Sequence, residues 1–276
     1  MASIMASAGL DRSAPPRVLE GRVAVVTGST SGIGLGIARA LAGRGAMIIL
    51  NGLCSAIEAE QLCRELGDAY DVPVGFERAD MADSIAIAAM LERVARRFGP
   101  VDILVNNAGI QHLAAIEDFP PDTWDAIIAI NLSAAFHGIR IVLPEMKRRG
   151  FGRIVNVASA HALVASPFKS AYVAATHGIL GLTKVVALEA AAYGVTCNAV
   201  CPGVWTRLVE QQEANQAKVH GISTEEVVRK VFTNKQPAGN FATVEQVAAA
   251  AAFFCDDAAA SITGVALPVE SDWTEH

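Results

Sequence analysis

The stretch Val23-Ala24-Val25-Val26-Thr27-Gly28-Ser29-Thr30-Ser31-Gly32-Ile33-Gly34 decides the fold class. An apolar run ends in a turn carrying three glycines at the spacing G-x-x-x-G-x-G, and a helical pattern takes over. Glycines let the backbone bend sharply there and let a phosphate approach the N–H groups that open the helix. A plain tight turn needs only one or two of them. Three, set between a strand and a helix, favour a nucleotide site, although the spacing differs from the G-x-G-x-x-G dinucleotide fingerprint.

Outward from this turn, short β-branched runs alternate with longer helical patterns. Strands are predicted at 23–27, 46–51, 74–78, 103–106, 154–158, 195–200 and 265–269, and helices near 33–43, 56–67, 83–98, 122–149, 170–192 and 243–255. Most of the strand runs are continuously apolar, as strands covered on both faces are. This order predicts an α/β fold of the Rossmann type: a doubly wound, seven-stranded, mostly parallel sheet with helices on both faces. A long polar stretch, about 206–236, interrupts the rhythm after the sixth strand and reads as a helical substrate lid. Residues 1–20 are expected to form a flexible tail and 21–276 a single domain.

Composition narrows the function. The chain has 276 residues, 52% of them hydrophobic and 18% charged, with a mean hydropathy of +0.36. That excludes disorder. Every apolar run is read as broken by Gly or charge short of the ~18–20 residues a membrane span needs, so no membrane partner is expected. Lys and Arg number 22 against 28 Asp and Glu, and a net charge of −6 argues against nucleic acid. The cysteines Cys54, Cys63, Cys197, Cys201 and Cys255 contain no CxxC pair, which suggests reduced thiols, a cytoplasmic location and no metal site.

Cofactor choice is read at the adenosine end. A 2′-phosphate wants a nearby Arg or Lys. The glycine turn carries Ser29, Thr30 and Ser31, and the second strand ends in Asn51-Gly52-Leu53-Cys54, with no base at either place. NAD is therefore expected rather than NADP, although the usual ribose-binding acid is also missing. Asp80-Met81, after the third strand, stands where it would hold the adenine edge, or as a solvated loop pair.

The glycine turn, Asn106-Asn107-Ala108-Gly109 after the fourth strand, Ser159 after the fifth and Tyr172 thirteen residues on together resemble the short-chain dehydrogenase/reductase family. The resemblance runs from residue 22 onward. It implies that Tyr172 is the general acid/base, Ser159 orients the substrate oxygen and Asn131 supports a proton-relay water. For the cofactor it implies Thr27, Gly28, Ser31, Gly32, Ile33 and Gly34, then Asp80 and Met81, then Asn107, Ala108 and Gly109, Tyr172 itself, and Pro202, Gly203 and Thr206. The family lowers the Tyr pKa from ~10 with a Lys four residues later. Here that position is Thr176, followed by His177, which sits ~100° further round a helix. A slower reaction is the implication.

Within the family, Gln111-His112, Ala158-Ser159-Ala160-His161 and Lys169-Ser170-Ala171-Tyr172 resemble the bacterial D-3-hydroxybutyrate dehydrogenase subgroup. That implies NAD-dependent oxidation of (R)-3-hydroxybutyrate to acetoacetate, and a substrate site of Gln111, Ser159, His161, Lys169, Tyr172, Gln212 and Trp273. A cation with hydrogen-bonding side chains around it suits a small hydroxy or keto acid. The stretch 204–208 and Glu270-Ser271-Asp272 depart from the subgroup pattern. A homotetramer packed through the C-terminal strand and the helices near 122–149 and 170–192 is also implied. The alternatives are a 3-oxoacyl reductase, which would favour NADPH and a basic surface, and a non-catalytic NAD-binding scaffold.

Overall fold

A computed structural model of the chain describes residues 17–203 and 242–270. Among them, one sheet is built from β1 (Val23–Val26), β2 (Met47–Gly52), β3 (Val74–Arg78), β4 (Ile103–Asn106), β5 (Gly152–Val157), β6 (Val195–Pro202) and β7 (Ala266–Val269). The order is β3-β2-β1-β4-β5-β6-β7 and every neighbouring pair is parallel. The helices are α1 (Gly32–Ala42), α2 (Ala56–Tyr70), α3 (Ser84–Arg97), α4 (Pro121–Ile128), α5 (Ala134–Arg149), α6 (Ser170–Ala190) and α7 (Val244–Cys255).

β1 shows why the sheet is covered twice. Successive side chains point to opposite faces, so four apolar residues in a row need an apolar layer on each side. Ala24 and Val26 join Ile37 and Leu41 of α1 and Val247 and Ala251 of α7. Val23 and Val25 join Met90 and Val94 of α3, Ile139 of α5 and Val186 of α6. The strand order reverses between β1 and β4, and a crevice opens beyond their C-terminal ends at that switch point.

Three expectations change. The helix expected over 122–149 is α4 and α5 joined by a π turn, Ala129–Ser133, with Ala134 N–H bonded to Ala129 O. The tail does not reach residue 20, because Leu19 is 2% exposed and its N–H donates to Arg44 O at 2.9 Å. The stretches Pro121–Arg149 and Ser170–Tyr193 each hold an 18-residue window apolar enough to cross a membrane, with mean hydropathy 1.8 and 1.4, so apolar runs do reach that length. Each of them lies partly on the sheet, with 39% of its window buried. The lid at 206–236, with Thr206 and Gln212, lies outside the described residues, as do residues 1–16 and Trp273.

Candidate active site

The crevice begins at the glycine turn. Gly28 and Gly32 have φ of +60° and +55°, a region that disfavours side chains. A Cβ on Gly28 would sit 2.8 Å from Ala108 Cα, and one on Gly34 would strike Gly28 O and the Asn107 amide. The turn is therefore pressed against the loop after β4. α1 opens at Ser31 with no side-chain cap and no acid in its first turn, which leaves its N–H groups facing the crevice. Beside it lies a cavity of about 730 Å³. Gly28, Ser31, Gly32, Ile33 and Gly34 line it, as do Asp80 and Met81 after β3, and Asn107, Ala108 and Gly109 after β4. An anionic dinucleotide fits such a cradle.

Thr27 does not line it. Its hydroxyl accepts from Asn107 N at 2.9 Å and Ala108 N at 3.1 Å, while the Asn107 amide donates to Thr27 O and Gly28 O. These two side chains clasp the loops that shape the cavity. Asp80 uses Oδ1 on Ala82 N. Pro202 and Gly203 end β6 away from the cavity wall, with Gly203 N bonded to Val269 O. The sequence reading missed Thr30, Ile110 and Val244, which also line the cavity, and Asn51, whose side chain binds Gly28 N, Glu77 O and Ala79 O.

Asn131 sits in the π turn and clasps Ile110 on both sides. Ile110 N donates to its Oδ1 and its Nδ2 donates to Ile110 O, each at 2.9 Å. One residue on is Gln111, and Ala114 N–H bonds Phe168 O at 3.1 Å, so this loop lies against the start of α6. Phe168 has φ of +67°, a strained state for a bulky residue, and it is followed by Lys169 at the α6 N-cap. Lys169 is 4% exposed, and burial pulls its ammonium pKa down to about 8.

Lys169 Nζ stands 3.4 Å from His161 Nε2, and His161 Nδ1 stands 3.3 Å from Ser159 Oγ. Ser166 Oγ lies 3.1 Å from the same Nε2, so the ring bridges Ser159 on one side and Ser166 with Lys169 on the other. Ser159 Oγ accepts from His161 N at 3.1 Å, and its side chain bonds Tyr172. The Tyr172 ring lies edge-on to His161 with centroids 6.0 Å apart. Burial pushes the Tyr172 phenol up from its ordinary value, against the lowering bond to Ser159. Thr176 is buried, and its hydroxyl donates to His161 O and Val173 O, each at 3.2 Å; it is turned to the backbone and brings no charge. His177 is exposed and bonds Val173 O. The described geometry thus gathers Ser159, His161, Lys169, Tyr172 and Thr176 on and beside α6.

The family model for short chain dehydrogenase matches residues 22–218. The chain belongs to the short-chain dehydrogenase family. It is 54% identical over 254 residues to the D-beta-hydroxybutyrate dehydrogenase of Rhizobium meliloti (strain 1021), covering 92% of this chain and 98% of that one. With the enzyme of the same name from Cupriavidus necator it shares 52% over 257 residues, 93% of this chain and 99% of that one. Among solved structures, an actinorhodin polyketide ketoreductase variant crystallised with NADPH superposes with a TM-score of 0.86 at 34% identity, covering 92% of this chain and 98% of that one. Short-chain dehydrogenases are oxidoreductases that use nicotinamide cofactors, and this chain has their seven-stranded parallel sheet.

Proposed function

We propose that the chain catalyses the NAD-dependent, reversible oxidation of (R)-3-hydroxybutyrate to acetoacetate. Lys169 carries this reading. It is a buried ammonium 3.4 Å from His161, whose ring contacts Ser159 and packs edge-on to Tyr172, and among the described residues no carboxylate pairs with it. An unpaired buried cation is costly, and a substrate carboxylate supplies the missing charge. His161 flanks that position, and Gln111, Gln212 and Trp273 are proposed as further contacts. The relatives' name supplies the substrate's length and hand.

With the carboxylate on Lys169, the carbinol faces Tyr172, whose phenolate oxygen takes the hydroxyl proton. Ser159 holds the carbinol oxygen during the transfer. A nicotinamide cofactor bound along the α1 N-terminus and beside Tyr172 supplies the hydride acceptor. Gly28, Ser31, Gly32, Ile33 and Gly34 would take its phosphates, Asp80 and Met81 its adenine, and Asn107, Ala108, Gly109, Pro202, Gly203 and Thr206 the rest. Among the described residues no Lys or Arg lines the cavity, which supports NAD as the better-bound cofactor. We further propose a cytoplasmic homotetramer, consistent with five free thiols.

NADH formation with (R)- and (S)-3-hydroxybutyrate tests the proposal. The (R) form is expected to react, and Lys169→Met to raise KM about 10²-fold, as loss of a charge-assisted contact of ~2–3 kcal/mol predicts. NAD affinity should stay unchanged. A parallel fall in NAD affinity would make Lys169 a cofactor or structural residue. NAD binding with no turnover at any pH would favour the scaffold.

A further inference from the structure

We propose that Ser166 is a positioning residue for the oxidation: its hydroxyl fixes the His161 imidazole, so that the ring keeps its contact with Ser159 when Lys169 turns to the substrate carboxylate. The inference rests on the reading of Ser159, His161, Lys169 and Tyr172 as the site of that reaction. Nε2 of His161 has Ser166 Oγ at 3.1 Å and Lys169 Nζ at 3.4 Å. The hydroxyl is the nearer of the two. An ammonium that takes up a carboxylate turns its protons to the new charge, because a charge-assisted bond is about twice as strong as a neutral one. Lys169 then leaves the ring, and Ser166 still holds that side of it. A hydroxyl suits the place. It both donates and accepts, so it bonds Nε2 in either tautomer, whereas an ammonium can only donate.

Ser166 is itself held by the chain on either side of it. It lies in the loop between the short turn Ala160–Ala162 and α6. Where the loop begins, Leu163 N and Val164 N both donate to Ala160 O, at 3.0 Å and 3.2 Å. Where it ends, Phe168 O accepts from Ala114 N at 3.1 Å. Ser166 is half-buried while Ala165 and Pro167 are exposed, so the serine turns inward where its neighbours face out. The consequence is felt across the ring. An imidazole turns as a rigid plane, so an anchor at Nε2 decides where Nδ1 points. Nδ1 stands 3.3 Å from Ser159 Oγ, a long contact that a small rotation would break. Ser159 bonds Tyr172, and the His161 ring packs edge-on to it. Release of the ring therefore loosens the pair that handles the carbinol proton. It spares the cofactor cavity, which neither Ser166 nor His161 lines.

Steady-state oxidation of (R)-3-hydroxybutyrate by the full chain tests this, with Ser166→Ala, Ser166→Thr, His161→Ala and the double variant Ser166→Ala/His161→Ala. Ser166→Ala should lower kcat by about tenfold, as loss of one hydrogen bond does, and leave KM and NAD affinity within about twofold. Ser166→Thr keeps the hydroxyl and should recover most of the rate. Because Ser166 acts through the ring, Ser166→Ala should cost nothing further in the His161→Ala chain. An unchanged kcat, full additivity of the two losses, or a rate that Ser166→Thr does not recover overturns the inference. So does a raised KM at unchanged kcat, since Ser166 would then touch the substrate. A fall in NAD affinity or melting temperature in Ser166→Ala would assign the residue to the loop's own structure and overturn it as well. NAD binding without turnover by the unmodified chain would overturn the functional reading and this inference with it.

Discussion

Thr176 gives its hydroxyl to the carbonyls of His161 and Val173, and nothing at that position faces Tyr172 with a positive charge. The phenol therefore stays above its ordinary range, and phenolate is scarce at neutral pH. Lys169, with a pKa of about 8, must be protonated to hold a carboxylate. In the free enzyme, kcat/KM for oxidation should rise with pH until about 8 and then level off, because Lys169 loses its proton as fast as Tyr172 does. Bound carboxylate keeps Lys169 charged, so kcat should go on rising beyond that point. Thr176→Lys places a cation one helical turn from Tyr172, on the same side of α6. It should increase kcat at neutral pH by at least ~10²-fold, since two pKa units correspond to ~2.7 kcal/mol, and move the kcat midpoint down. An unmodified chain as fast as the variant would mean that another group activates Tyr172.

The π turn between α4 and α5 shows where a sequence stops being legible. Strand and helix positions could be read because the apolar runs are short before Gly or Asn and periodic elsewhere, and the Ser159–Tyr172 spacing marked one wall of the site. An extra residue in a turn of helix leaves the apolar pattern of 122–149 unbroken, so nothing announced the π turn. Phe168 carries no mark of its positive φ either. The resemblance put both Thr27 and Asn107 at the cofactor; in the fold they hold each other, and of the two Asn107 lines the cavity. Asn131 owes its reach to the π turn, and its two bonds to Ile110 fix the loop that lines the cavity. Asn131→Ala should cost about 2 kcal/mol for the two bonds, lowering the melting temperature by ~4–8 °C. Saturating NAD should restore part of that loss, because the cofactor holds the same loop from the other side. An unchanged melting temperature would show that Asn131 is no clasp.

For the whole molecule, the described parts of α5 and α6 leave large apolar side chains facing outward. Val185 and Leu188, one turn apart on α6, are 53% and 84% exposed, and Phe136 on α5 is 48% exposed. Such a face marks an interaction surface, and a second copy related by a two-fold axis would cover it with itself. A second face lies at the sheet edge. There, among the described residues, β7 pairs on one side alone, and Phe253 of α7 and Val265 are both exposed. We propose that each face pairs with its own copy, and two different faces of that kind close a tetramer with three perpendicular two-folds. Sedimentation equilibrium should therefore give the mass of four chains. Leu188→Glu should leave dimers joined at the β7 edge, because the two-fold would bring the new carboxylate and its copy into one apolar interface without partners. Leu188 lies outside the cofactor cavity, so NAD affinity should survive the change. A monomeric unmodified chain, or a variant of unaltered mass, would remove the helical face from the assembly and leave its apolar residues to another partner.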